Sequence, residues 1–452
     1  MITTHALRSL ALIIAATFTF AGTLAASSGP ATAQSLFLPA TASDTAAAAS
    51  RSKSVPQAKR ERLVRVDANV LTRSIAPAGA DTAADRESRA KRLAGDSVRL
   101  NLFNDVSETF RRTDVKANAD SGYIWEGEVP GKGVYEALLI VKNGTISGRV
   151  QLDDRLFSID HVSGNVHRIT ELDPAKFPPE APPAIPPVAS GAQPNQEPEQ
   201  NAAEEDTRAN TVIRVLVAYT GKSKIEAVAS GKNILTEINK AIALANQAYK
   251  RGGMALVLQL AGTPMQVNYN ENPSIFEDLE NVSNINTPTN PNAFAGVRSQ
   301  RTARKADLVA LFRKNDPSFC GIAWFPGSSP NAAQPMPSAA TAIFGYSVMN
   351  WTCVTNLSFH HEIGHNMGAR HDRYVDNAKP GYNHGFVNKP KKMRTVMAYA
   401  DACSAVGLFC TRINWFSSST IQATGGVVIG SAANDNTRRL KETKTAVSKY
   451  LQ

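Results

Sequence analysis

The sequence predicts an α+β chain in two folded parts. A small antiparallel β domain is expected over about 98–172, and a twisted mixed sheet with helices packed on it from 211 to 452. Three observations carry this. Short runs of alternating residues closed by turn residues fill the first part. A proline-rich, acidic stretch separates the two parts. The second part opens in strand–helix–strand order and holds five of the eight histidines, between 360 and 384. A length of 452 residues with 42% hydrophobic and 19% charged residues leaves room for two cores and excludes a wholly disordered or collagen-like chain.

In chain order, Arg8 precedes the apolar run Leu10–Leu24, and Ala31-Thr32-Ala33 supplies small residues where a signal peptidase reads. Residues 1–33 are therefore expected to be a cleaved signal peptide and the mature protein to be secreted. The run is short for a membrane anchor, which needs ~20 apolar residues to cross ~30 Å of hydrocarbon, and no later segment is long and apolar enough to span a bilayer. Residues 34–60, rich in Ala, Ser and Thr, are expected to lack packed structure. Strands follow at 122–129, 134–142, 145–152, 155–160 and 166–172. Asn143-Gly144 joins two of them as a hairpin turn, because a type I′ turn needs positive φ at both central positions. His161 and His167 read as ordinary strand residues. Nine prolines between 174 and 198, then Glu197, Glu199, Glu204, Glu205 and Asp206, make 176–210 an extended, solvated linker open to proteolysis.

The second part begins with the β-branched run 211–220. A helix is expected over 233–251, stopped by Gly252-Gly253, then strands at 254–262 and 305–313 and a terminal helix near 434–451. Its charge is lopsided. Residues 1–210 carry 23 Lys+Arg against 25 Asp+Glu, whereas residues 211–452 carry 26 against 14. No Lys/Arg cluster is interleaved with aromatics, so a basic secreted protein is expected rather than a specific nucleic-acid binder. A monomer is expected.

The chemistry lies in FHHEIGHNMGARHD, 359–372. His361 and His365 are four apart, so on a helix they share a face and can hold one metal ion. Glu362 stands beside the first, in reach of a water at that metal. Gly368 lets the chain leave the helix with positive φ, and His371 can then approach from another side. Three neutral nitrogen ligands with one open position describe a catalytic zinc site. Zinc would polarise a carbonyl and acidify a water, with Glu362 as general base. His-Glu-x-x-His alone arises by chance in about one such chain per hundred, and the added Gly and His make coincidence rarer still by about a thousandfold. His360 points off the ligand face and His384 stands apart in GYNHG; both read as structural.

His361-Glu362-x-x-His365-x-x-Gly368-x-x-His371-Asp372 resembles the elongated zinc motif of the metzincin metalloproteases, and Asp372 resembles the adamalysin/reprolysin branch, secreted bacterial type. The resemblance covers most of 211–452 and implies a secreted zinc endopeptidase with a metzincin-like catalytic domain. It makes TVMAYA (395–400) the Met-turn, with Met397 as an apolar floor beneath the zinc. CGIAWF (320–325) resembles the upper edge strand that pairs with extended polypeptide substrate, and RINWFSSS (412–419) resembles the same secreted enzymes. The loop around 400–425 would shape the pocket that selects the residue after the scissile bond. Tyr399 departs from the branch: a tyrosine two after the Met belongs to astacins and serralysins, where it helps stabilise the oxyanion. Here it has two readings, catalytic or packing. The β domain, from LNLFNDVS (100–107), resembles the family's propeptide, so 34–175 is expected to be a prodomain and the protein a zymogen. Many relatives keep latency with a propeptide cysteine. This chain has none before Cys320, so the expectation is occlusion of the cleft by residues from 34–210, with a carboxylate of the acidic linker near the zinc site.

Four cysteines in an exported chain suggest two disulfides, with three possible connectivities. The favoured one closes Cys403–Cys410 after the Met-turn and ties the edge strand to the zinc helix through Cys320–Cys353. No calcium-loop motif is visible. A zinc-fold binding protein and a zinc hydrolase of non-peptide amides are the competing readings.

Overall fold

The computed structural model describes residues 34–49, 54–71, 96–118, 122–186, 210–326, 337–376 and 381–451. The expected signal peptide and the acidic end of the linker lie outside the described residues. Gln34–Gln452 forms one unit, and among the described residues no helix is long and apolar enough to cross a membrane.

The first part is a nine-stranded antiparallel sheet. Strands β1 (Phe37–Pro39), β2 (Ala58–Val66), β3 (Ser97–Phe103), β4 (Val106–Asn118), β5 (Gly122–Glu128), β6 (Tyr135–Lys142), β7 (Thr145–Leu152), β8 (Arg155–Ser163) and β9 (Val166–Leu172) lie in the order β1-β2-β9-β8-β7-β6-β5-β4-β3. Asn143 (φ 48°) and Gly144 (φ 74°) turn β6 into β7 as the hairpin signal requires. The β domain is larger than expected, because 34–60 is not free of structure. Val64 and Val66 of β2 are buried, with β2 paired to β9, and Leu36 and Phe37 pack in the same core. The composition of 34–60 hides this, because those residues gain order from a finished sheet edge rather than from their own periodicity.

Strand β6 reads as a continuous apolar run because both its faces are covered. Ala137, Leu139 and Val141 join Trp125, Phe110 and Phe157 in the β domain's own core. Leu138 and Ile140 join the core of the second part, with Ile238 and Leu244 of the helix Ile234–Arg251. That seam also carries buried charge: Lys240 bridges Asp160 of β8 (3.2 Å) and Glu237 (2.9 Å).

The second part is a mixed sheet. Strands β10 (Thr211–Thr220), β11 (Leu256–Leu260), β12 (Met265–Val267), β13 (Leu308–Arg313), β14 (Gly321–Ala323) and β15 (Tyr346–Asn350) run in the order β11-β10-β13-β15-β14, with β12 also on β10. All pairs are parallel except β14 on β15, so β14 is an antiparallel edge. The start of the linker, up to about residue 186, covers that edge instead of lying in solvent. Cys320 N–H donates to Pro179 O (2.7 Å), Ala181 N–H to Gly321 O (2.9 Å), Ala184 N–H to Ala323 O (2.9 Å) and Phe325 N–H to Ala184 O (2.8 Å). The prolines at 178, 179, 182 and 183 fall where no donor is needed, and the alanines between them supply the N–H groups. Phe177, Glu180 and Ala181 are buried there.

Candidate active site

The helix Ser358–Asn366 starts just after the Cys320–Cys353 disulfide, which joins it to β14. It ends in a Schellman motif: Gly368 N–H donates to His365 O and Ala369 N–H to Gly364 O, both at 2.9 Å, with Gly368 at φ 86°. The reversed chain carries His371 back over the exposed ends of His361 and His365.

The three Nε2 atoms converge, with 361–365 and 361–371 at 3.2 Å and 365–371 at 2.9 Å. His361 Nδ1–H donates to Val396 O (2.8 Å) and His365 Nδ1–H to Ala369 O (2.9 Å). A carbonyl only accepts, so both protons sit on Nδ1 and both Nε2 lone pairs face the centre. All three rings are buried, and burial keeps them neutral: His365 is pushed down to about 3, His361 and His371 well below the ordinary value. Lone pairs converging in a dry site repel one another until a cation lies among them, so the donor set fits a metal ion.

Glu362 is buried beside them, and neither carboxylate oxygen has a hydrogen-bond partner. Burial pushes its carboxyl well above the usual range, and the nearby Glu180 carboxylate adds to this. The residue facing it on the edge strand must be small. A Cβ on Gly321 would lie 2.5 Å from Glu362 Oε1. Met397 is fully buried under the helix, where a Cβ on Gly364 would meet its Sδ at 2.7 Å. The Tyr399 ring lies 4.1 Å from that of His371. Its N–H donates to Asp372 Oδ2 (2.8 Å) and its hydroxyl to Glu180 O (2.7 Å). Asp372 thus ties the third histidine to the turn carrying Met397 and Tyr399.

His360 instead pairs through Nε2 with Asn414 Oδ1 (2.9 Å), and His384 Nδ1–H donates to His371 O (2.9 Å). His161 and His167 lie on β8 and β9, away from the site. Both disulfides, Cys320–Cys353 and Cys403–Cys410, are those favoured from the sequence.

Sequence reasoning missed two site residues. Glu180 stands in the proline-rich segment and Arg412 in the short strand Thr411–Arg412. Their side chains form a buried ion pair, Arg412 Nη1 on Glu180 Oε1, and Ser358 Oγ donates to the same oxygen (2.7 Å). Glu180 lies within the linker expected at 176–210, and its carboxylate stands near the site; the acidic run after 196 lies outside the described residues. No local pattern marks Glu180, since the pair is 232 residues apart in sequence.

Residues 209–434, half of the chain, match the model of the metallo-peptidase family M12B, reprolysin-like. Over 360 residues the chain is 28% identical to a peptidyl-Asp metalloendopeptidase of Stenotrophomonas maltophilia, spanning 75% of this chain and 79% of that protein. A peptidyl-Asp metalloendopeptidase of Xanthomonas campestris is 28% identical over 361 residues, 76% of this chain and 79% of its own. The crystal structure of metalloproteinase-II from Bacteroides fragilis aligns with a TM-score of 0.37 at 12% identity, over 61% of this chain and 81% of that one.

Proposed function

The chain belongs to the M12B reprolysin-like metallopeptidases and is a metalloendopeptidase, and on that premise we propose that it is a secreted zinc enzyme, made as a zymogen, that cleaves extended polypeptides beside acidic residues. His361, His365 and His371 hold the ion. Three imidazoles without thiolate or carboxylate are the donor set of a hydrolytic zinc, which when bound supplies a Lewis acid for the scissile carbonyl and acidifies a water. Glu362 takes the proton of the attacking water on its unpartnered carboxylate and delivers it to the leaving amine. Met397 is the apolar floor, and the Tyr399 hydroxyl donates a hydrogen bond to the developing oxyanion. The convergence of the three Nε2 atoms beside an unpartnered Glu362 is the observation that carries this reading.

The N-terminal apolar run supports secretion, and residues 34–210 are read as the propeptide. The covering of β14 by 177–186 supports latency by occlusion, because the strand that would pair with substrate already has a partner. The acidic preference is carried over from the name of the relatives. Neither a pure binding role nor hydrolysis of non-peptide amides is favoured by any feature of the site.

The test is metal exchange on the secreted enzyme with a peptide substrate. A chelator should abolish turnover and zinc should restore it. Unchanged turnover in a preparation stripped of all metal would overturn the assignment.

A further inference from the structure

We propose that Arg412 is the residue that selects an acidic side chain in the substrate, and that Glu180 is the chain's own side chain filling that pocket before processing. This rests on the acidic preference proposed above and supplies its physical cause.

Glu180 sits where a substrate residue would. Its neighbours Pro179 and Ala181 make the main-chain bonds to Cys320 and Gly321, and Gly321 is the residue against which Glu362 packs. Its carbonyl accepts from the Tyr399 hydroxyl. The main chain at Glu180 is therefore level with Glu362 and Tyr399, while the side chain turns down to Arg412 and Ser358. Both partners are almost fully buried, Glu180 at 1% and Arg412 at 3% exposure.

The pocket is built to outlast its occupant. Arg412 Nη1 also donates to Asn356 O (3.0 Å), a partner that, like Arg412, lies within the matched 209–434. Asn356 lies just before the metal-site helix and keeps the guanidinium aimed beside it. Arg412 Nε has no hydrogen-bond partner, nor has Glu180 Oε2, so the planar fork has a donor to spare for a second contact with a carboxylate. Glu180 is the carboxylate that pairs with Arg412 among the described residues.

A structural ion pair is the competing explanation. Buried pairs add little net stability over apolar packing, and leaving one charge behind is costly. The two partners stand on opposite sides of the family boundary: Arg412 lies inside the matched 209–434 and Glu180 outside it. A pair kept only for stability would lose its anion once the propeptide is cut away. A pair that exchanges one carboxylate for another does not, because the incoming Asp or Glu of a substrate takes the place of Glu180. The neutral isosteres Asn and Gln leave Arg412 unpaired and are rejected.

The test uses the secreted, processed enzyme and two peptides differing only by Asp against Asn beside the scissile bond. The parent should prefer Asp by about a hundredfold in kcat/KM. Arg412→Gln should bring the two peptides within about threefold, mostly by loss on the Asp peptide. Should that variant not be secreted, Arg412→Lys is read in its place. Lacking the planar fork, it should cut discrimination at least about tenfold. In the uncut chain, Glu180→Gln should shorten the lag before activity appears, whereas Glu180→Asp, which keeps the charge, should restore it. No turnover of any peptide by the parent would count against the peptidase reading itself. A parent indifferent to Asp and Asn would count against the acidic preference. A parent that prefers Asp, with a folded Arg412→Gln or Arg412→Lys enzyme that prefers it equally, overturns the present proposal.

Discussion

Replacing Gly321 by alanine puts a Cβ at 2.5 Å from Oε1 of Glu362, 2.8 Å from its Cγ and 2.9 Å from its Cδ. Ordinary contact between such atoms is about 3.4 Å or more, so something must yield by ~1 Å. The strand is the stiffer side: Gly321 is paired with Met349 on β15 and follows the disulfide-bonded Cys320. Glu362, with no hydrogen bond fixing its carboxylate, gives way. A general base works within ~2.6–3.2 Å of the proton it takes, and a misplacement of ~1 Å costs about a hundredfold, or about 2.7 kcal/mol of transition-state stabilisation. Gly321→Ala should therefore lower kcat about a hundredfold, with KM and zinc content near those of the parent. Any fall in melting temperature should be small, because alanine's lower entropy in the unfolded chain offsets up to about 1 kcal/mol of the cost of moving Glu362 aside. The assay is steady-state peptide hydrolysis with metal analysis of the same sample. A kcat within about threefold of the parent, zinc unchanged, would refute the placement of Glu362 against the edge strand.

Tyr399→Phe removes the hydroxyl but keeps the ring on His371; kcat should fall about a hundredfold with little change in KM, and a near-parental kcat would leave Tyr399 as packing. Active secreted material should begin between about 200 and 212 by N-terminal sequencing, since that polar, acidic sequence precedes β10; a fully active chain still starting near Gln34 would show that the N-terminal part is no inhibitor. Burial pushes the Asp160 carboxyl up, but the Lys232 and Lys240 ammoniums outweigh it and hold it below the usual carboxylate range. Its folded pKa lies below its unfolded one, so its contribution is fully present above about pH 3.9 and lost as the pH falls below that. Asp160→Asn in the uncut chain should cost about 3 kcal/mol at pH 6, and the difference in melting temperature from the parent should narrow as the pH is lowered from about 5 to 3; a constant difference would refute the pairing across the seam.

What the sequence made legible was local. His361 and His365 are set by the pitch of one helix and His371 by one left-handed glycine, so spacing alone brings three imidazoles together. The Asn143-Gly144 hairpin and the parallel strands β10 and β13 were readable for the same reason. Contacts made across the chain were not. Strand β2 has a charged, alternating sequence whose partner β9 lies about a hundred residues on, and the Ala-rich lead-in to it resembles a flexible tail. Lys240 is a charged residue in mid-helix with nothing in the sequence to mark a partner, yet it is fully buried because Asp160 comes from another part of the fold. The linker prolines indicate an extended chain correctly. That it lies on an edge strand depends on which N–H groups remain, and that is apparent only once the strand is in place.

The proposed site assigns the metal to three histidines and the water proton to one glutamate, and Glu362→Gln tests that division directly. Zinc content and peptide turnover are measured on one preparation of the secreted protein. The side chains are nearly isosteric and the glutamate lies outside the histidine triad that could hold the ion, so about one zinc per chain should remain while kcat falls by about a thousandfold or more. A variant that holds its zinc and turns over peptide within about tenfold of the parent would contradict it.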